Sequence, residues 1–95
     1  MNTQTKKVSC ELDEKIVNRF VWACANRRKL RLETQDWSVF SKYSESYCRK
    51  AMELYIDAFE KLADNIELVT KKKVVELRDN LSVMLDNGKR FHIVL

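Results

Sequence analysis

The chain has 95 residues, 45% of them hydrophobic and 34% charged, with a formal net charge of +4. That is enough for one domain with a single modest core, and it carries too little bias toward charge or turn-formers for a disordered chain. Glycine occurs once, at Gly88, and proline not at all; phosphate-cradling loops, nucleophile elbows and dinucleotide turns are therefore excluded upstream of residue 88, because each needs glycine for a positive φ or a close backbone approach.

The opening heptapeptide MNTQTKK is polar with no apolar stretch behind it, so no signal peptide is expected. No apolar run approaches the roughly 18 residues of a membrane span, and a cytoplasmic protein away from membranes is the expectation. In residues 6–12 (KKVSCEL), Val8, Cys10 and Leu12 alternate with Lys7, Ser9 and Glu11, which predicts a half-buried strand. Asp13 then stands as a helix cap. Residues 14 to about 29 read as a helix whose apolar face is Ile16, Val17, Phe20, Val21 and Cys24. This helix ends in a basic cluster, Arg27, Arg28, Lys29 and Arg31, which suits the negative end of the helix dipole and equally suits a phosphate.

Residues 32–34 read as a short connection, and Asp36, Ser41 and Ser44 are the available caps for a second helix. Phe40, Tyr43, Tyr47, Cys48, Ala51, Met52, Tyr55, Ile56, Phe59, Leu62 and Ala63 keep helical period for more than six turns, opposite Lys42, Glu45, Lys50, Glu53, Asp57 and Asp64. An aromatic stripe at this spacing is a core or dimer face. Residues 66–79 admit two readings: VVELR (74–78) as a third strand joined through Asp79-Asn80, or a short helix from about Glu67. A helix followed by a hairpin is the reading carried forward. The hairpin itself is signalled by Asn87-Gly88 between LSVML and RFHIVL, each of which alternates. The expected fold is thus α+β and mainly helical, a single domain over 1–95. It has an N-terminal strand, two main helices of which the second is long, and a C-terminal β-hairpin.

Cys10, Cys24 and Cys48 are odd in number and widely spaced, without a CxxC pair, and His92 is the one histidine. Neither a zinc site nor a disulfide framework fits that spacing, and all three cysteines read as small buried hydrophobes. His92 has no carboxylate companion in sequence, and the Glu53/Asp57 and Glu60/Asp64 pairs lie on a lysine-interleaved helical face. No metal, no cofactor and no enzymatic activity are expected. Charge is better patterned: residues 1–32 carry a net +5, residues 33–70 a net −4 and residues 71–95 a net +3. Basic clusters recur at Lys6-Lys7, at Arg27 to Arg31, at Lys71-Lys72-Lys73 and at Lys89-Arg90, the footprint expected of a phosphate-binding face.

KKVSCELD, the helix from Glu14 and then ESYCRKAMELYIDAF together resemble the ribbon-helix-helix DNA-binding proteins of the Arc/MetJ type, over residues 6–60. The resemblance implies that two chains pair their N-terminal strands into an antiparallel ribbon that enters the major groove. Lys7 and Ser9, with Thr5, would then face bases, and backbone amides near 44–46 would take a phosphate. It departs from that pattern in the long, glycine-free interval 30–43, in Glu11 on the base-facing side and in the C-terminal hairpin. A winged helix-turn-helix has a related order, with Lys89-Arg90 at the wing tip.

The expectation is a small, non-enzymatic, homodimeric DNA-binding protein, a transcriptional regulator or DNA-maintenance accessory. Its contacts with double-stranded DNA would come from Lys6, Lys7, Ser9, Arg27, Arg28, Lys29 and Arg31. The alternative is a small phage- or plasmid-type protein that binds another protein to inhibit or adapt it.

Overall fold

The computed structural model of the chain describes residues 8–33 and 45–94. A one-turn helix at residues 8–11 (α1) leads into α2 (Glu14–Glu33). A long helix, α3 (Glu45–Thr70), is followed by three strands, β1 (Val74–Leu77), β2 (Ser82–Leu85) and β3 (Arg90–His92). The strands form an antiparallel meander in the order β1-β2-β3. The fold is α+β and mostly helical, as the sequence predicts.

Asp13 caps α2: its carboxylate accepts from the Lys15 amide at 2.9 Å, and its carbonyl accepts the first helical bond, from Val17, at 3.1 Å. The Asp13 amide donates to Asn65 Oδ1 at 2.8 Å, which pins the start of α2 beside α3. The predicted apolar face of α2 points inward, with Val17, Phe20 and Cys24 buried and Ile16 and Val21 packed at their margin. No glycine or proline stops the helix at residue 29, and it runs on to Glu33. Residues 34–44 are not among those described, so the connection and the caps at Asp36, Ser41 and Ser44 lie outside them.

The second helix extends beyond its aromatic stripe, to Thr70. Its end is built without glycine. The Thr70 hydroxyl donates back to the Ile66 carbonyl at 2.8 Å, Lys71 takes a left-handed φ of 60°, and its amide closes on the Glu67 carbonyl at 2.9 Å. Glu67 then accepts the Val74 amide at 3.1 Å and starts the sheet. Residues 74–77 are therefore a strand, and the hairpin of the sequence reading is the second half of a three-stranded sheet.

The expected N-terminal strand is absent at residues 8–11, which are helical. The Leu12 amide donates to the carbonyls of Val8 (3.2 Å) and Ser9 (3.3 Å). Val8 and Leu12 share a face in either conformation, because a separation of four satisfies both periods. Cys10, the residue that separates the two readings, is exposed. The segment meets the sheet through a bond from the Val94 amide to Ser9 Oγ at 2.8 Å. It thus ends the β3 side of the sheet without a ladder.

One core joins both layers: Ala58, Leu62 and Ile66 of α3, Phe20 and Cys24 of α2, and Leu77, Leu81, Val83, Leu85 and Ile93 of the sheet region. Phe20, Tyr55 and Phe59 form an aromatic triangle with centroids 6.0 to 6.2 Å apart. Each large apolar side chain so buried contributes about 1.5–3 kcal/mol.

The two β-turns repeat one device. In Leu85-Asp86-Asn87-Gly88-Lys89, the Gly88 amide donates to Leu85 O (3.0 Å), Leu85 to Lys89 O (2.9 Å), and Lys89 to Asn87 Oδ1 (3.0 Å), with Gly88 at φ 81°. In Arg78-Asp79-Asn80-Leu81-Ser82 the same three bonds recur at 2.9, 2.9 and 3.1 Å, and Leu81 takes the glycine's place at φ 69°. Both are three-residue turns closed by a left-handed residue. Only Gly88 of the Asn87-Gly88 pair has a positive φ.

Candidate nucleic-acid interface

The residues singled out from the sequence scatter. Lys6 and Lys7 lie outside the described residues, as do the side chains of Lys29 and Arg31. Ser9 is half-buried, with its hydroxyl engaged by Val94. Arg28 is exposed near the far end of α2, roughly 20 Å of helical rise from the α1–α2 junction.

Arg27 is held inside the fold. Its Nη2 donates to both carboxylate oxygens of Asp79, at 3.3 and 3.0 Å, and its guanidinium lies 4.1 Å over the Tyr55 ring. Arg27 Nε is buried without a partner among the described residues. The Cys24 thiol donates to Asp79 Oδ1 at 3.6 Å. Burial, then the Asp79 charge, pushes the Cys24 thiol from 9.0 up to about 12, and burial likewise raises Tyr55. A thiol held protonated is a poor nucleophile and a poor metal ligand, and the cluster ties α2, α3 and the β1–β2 turn together. Among the described residues, no three His, Cys, Asp or Glu side chains are grouped to hold a metal.

The outer face of the sheet gathers what the sequence did not. Register places Glu76 opposite Met84 and Met84 opposite Arg90, and Ser82 opposite His92. The Arg78 amide bonds to Ser82 O at 2.9 Å, so Arg78 continues the second row. Two rows result, Glu76–Met84–Arg90 and Arg78–Ser82–His92, around a shallow depression of about 210 Å³. The opposite side chains, Leu77, Val83, Leu85 and Phe91, pack on the helices. Glu76 is neutralised by Arg78, Nε to Oε1 at 3.0 Å. Arg78, Arg90 and His92 are exposed; Lys89 and Asp86 are exposed in the β2–β3 turn, where Lys89 pairs with Leu85 and so falls in register with the inward row. Lys89-Arg90 was visible in the sequence as a basic tip. Arg78 and His92 were not, because only the register of three strands brings them to that tip's face.

No family model, curated protein or solved structure matches the chain. Among the described residues, no helix is long and apolar enough to cross a membrane.

Proposed function

We propose that the protein is a small, non-enzymatic DNA-binding protein, in which the β2–β3 ribbon takes the role that the sequence suggested for the N-terminal strand. The carrying observation is the outer sheet face, where Arg78, Ser82, Arg90 and His92 converge from three strands. The roughly 12 Å major groove of B-DNA admits two strands side by side; β2 and β3 are the central and one edge strand of this sheet, and Arg78 reaches the same face from the β1 side. Arginine side chains there pair with guanine edges or phosphates, and a serine hydroxyl reads either donors or acceptors. Glu76 lies on the same face and pairs with Arg78, an exposed ion pair that a phosphate has to exchange. Fluorescence anisotropy on a labelled mixed-sequence duplex, titrated from low to physiological salt, tests it. The expected result is a log–log salt slope of about −2, for the phosphates met by Arg78 and Arg90. The Arg78→Ala/Arg90→Ala double variant should lower that slope by about 2 units. Absence of binding at low salt, or a slope unmoved by that variant, refutes the reading.

A further inference from the structure

On another face of the molecule α2 and α3 run antiparallel and leave a groove between them, lined among the described residues by those two helices. Its floor is Ile16, Ala23, Ala51, Leu54 and Ala58. Two depressions of about 270 Å³ each lie along it. Arg19 of one stacks 4.7 Å over Trp22 of the other, so the two lie end to end along the helix pair with this stacked pair between them. Trp22 is 46% exposed, unusual for the largest apolar side chain in a chain with an adequate core. From Lys15 to Asn26 the groove follows α2 for about three turns, or roughly 17 Å.

Its rim is cationic. Lys15, Arg19, Lys50 and Lys61 stand along the two walls. Lys61 has a partner, Asp57 Oδ2 at 3.1 Å, but both are well exposed and the pair is easily exchanged. Lys15 and Lys50 have no ion-pair partner among the described residues. Nothing in the groove itself is acidic.

A floor of alanines lets a third helix approach close to the axes of the first two, and the walls set the sign of what approaches. We infer that this groove docks an amphipathic helix of about three turns from a partner protein, with a small apolar face inward and carboxylates along both flanks. Charge complementarity selects this occupant. A nucleic acid would leave the apolar floor unmatched, and a second copy would meet four like charges if the grooves faced each other.

Two synthetic helical peptides of 14 residues serve as probes, with one leucine/alanine face and either glutamate or lysine on the flanks. Binding is read by peptide anisotropy and by chemical-shift changes mapped on the full-length protein. The glutamate peptide should bind about tenfold or more tightly than the lysine peptide, with shifts confined to α2 and α3. The Lys15→Glu/Lys50→Glu variant, which alters only exposed side chains, should reverse that order, whereas Arg78→Ala/Arg90→Ala should leave it intact. Ala51→Glu, placing a carboxylate on the floor, should weaken both peptides. Equal affinity for the two peptides, no binding of either at millimolar concentration, or shifts outside the groove overturns the inference. So does concentration-dependent self-association, by sedimentation, that Ala51→Glu abolishes: the occupant would then be a second copy. Loss of duplex binding in Lys15→Glu/Lys50→Glu without any peptide binding would assign the groove to DNA, and would likewise overturn it.

Discussion

At the scale of single residues, two positions are set by backbone geometry more than by contacts. Gly88 sits at φ 81° with open space where a Cβ would be. Gly88→Ala should therefore cost only the left-handed backbone penalty, about 1–2 kcal/mol. Leu81 accepts the same penalty at φ 69° and keeps its side chain 6% exposed in the core. Leu81→Gly relieves roughly 1 kcal/mol of strain but removes a buried leucine worth about 3–5 kcal/mol, so a net loss near 2–4 kcal/mol is expected. Urea denaturation with unchanged m-values measures both, and a Leu81→Gly protein as stable as the parent would show that the leucine is not held by packing. Cys24 makes a pH prediction. Burial pushes its thiol from the ordinary 9.0 up to about 12 in the folded chain, so above pH 9 the unfolded chain loses this proton while the folded chain keeps it. Its share of stability is present in full below pH 9 and declines by about 1.4 kcal/mol per pH unit between 9 and 12. Tyr55, also raised, adds to the decline at the alkaline end. Unfolding free energies across that range should fall less steeply in Cys24→Ala; an identical slope would show that the thiol is not the group titrating.

At the scale of elements, the helices were legible because they rest on local signals. The cap at Asp13 and the face from Ile16 to Cys24 need no tertiary information, and both stand as read. Asp13→Ala should destabilise by about 1 kcal/mol, as capping losses do, and thermal unfolding followed by circular dichroism checks it. Strands were less legible, because a strand is defined by its neighbour. Val8, Cys10 and Leu12 alternate well enough, but the segment closes its own hydrogen bonds as a helical turn, with the Leu12 amide on the carbonyls of Val8 and Ser9. Val74 to Leu77 lacks a clean alternation because the register slips at Val75, a bulge that lets two residues of β1 oppose one of β2. The turn before β2 was hidden for a related reason: Asp-Asn-Leu holds the shape that Asp-Asn-Gly advertises. The basic cluster at 27–31 was read as one surface, yet Arg27 turns inward. Its partner, Asp79, is 52 residues away in sequence, and no spacing rule reaches that far. A double-mutant cycle between Arg27→Ala and Asp79→Ala should return a coupling of about 1 kcal/mol, the value for a partly exposed ion pair; zero coupling would mean that the pair merely coexists.

At the scale of the molecule, the question is whether the sheet is a rigid part of the domain or an appendage to the helices. DNA recognition by two ordered rows of side chains needs the first, because a site that must be ordered on binding loses affinity to that ordering. The core argues for rigidity. Leu77, Val83 and Leu85 share one cluster with Phe20 and Leu62, and Asp79 bonds across to α2. Outside the strands proper, the Ile93 amide bonds to Leu81 O and the Asp86 amide to Lys73 O, each at 2.9 Å, so the ladder is closed at both ends. If the two layers open together, amide hydrogen exchange at Val83 and Ile93 should report the same opening free energy as exchange at Leu62 and Ile66, equal to that of global unfolding. The α1 turn has few such ties, and its amides should exchange faster by an order of magnitude or more. Sheet amides that exchange with α1 instead of with α3 would mean that the sheet unfolds by itself. The outer rows would then be assembled only upon binding, and the salt slope on DNA would be accompanied by a large negative heat-capacity change. Matching opening energies in the two layers would instead leave Arg78, Ser82, Arg90 and His92 pre-set on one face, where electrostatic attraction suffices to bring the duplex to them.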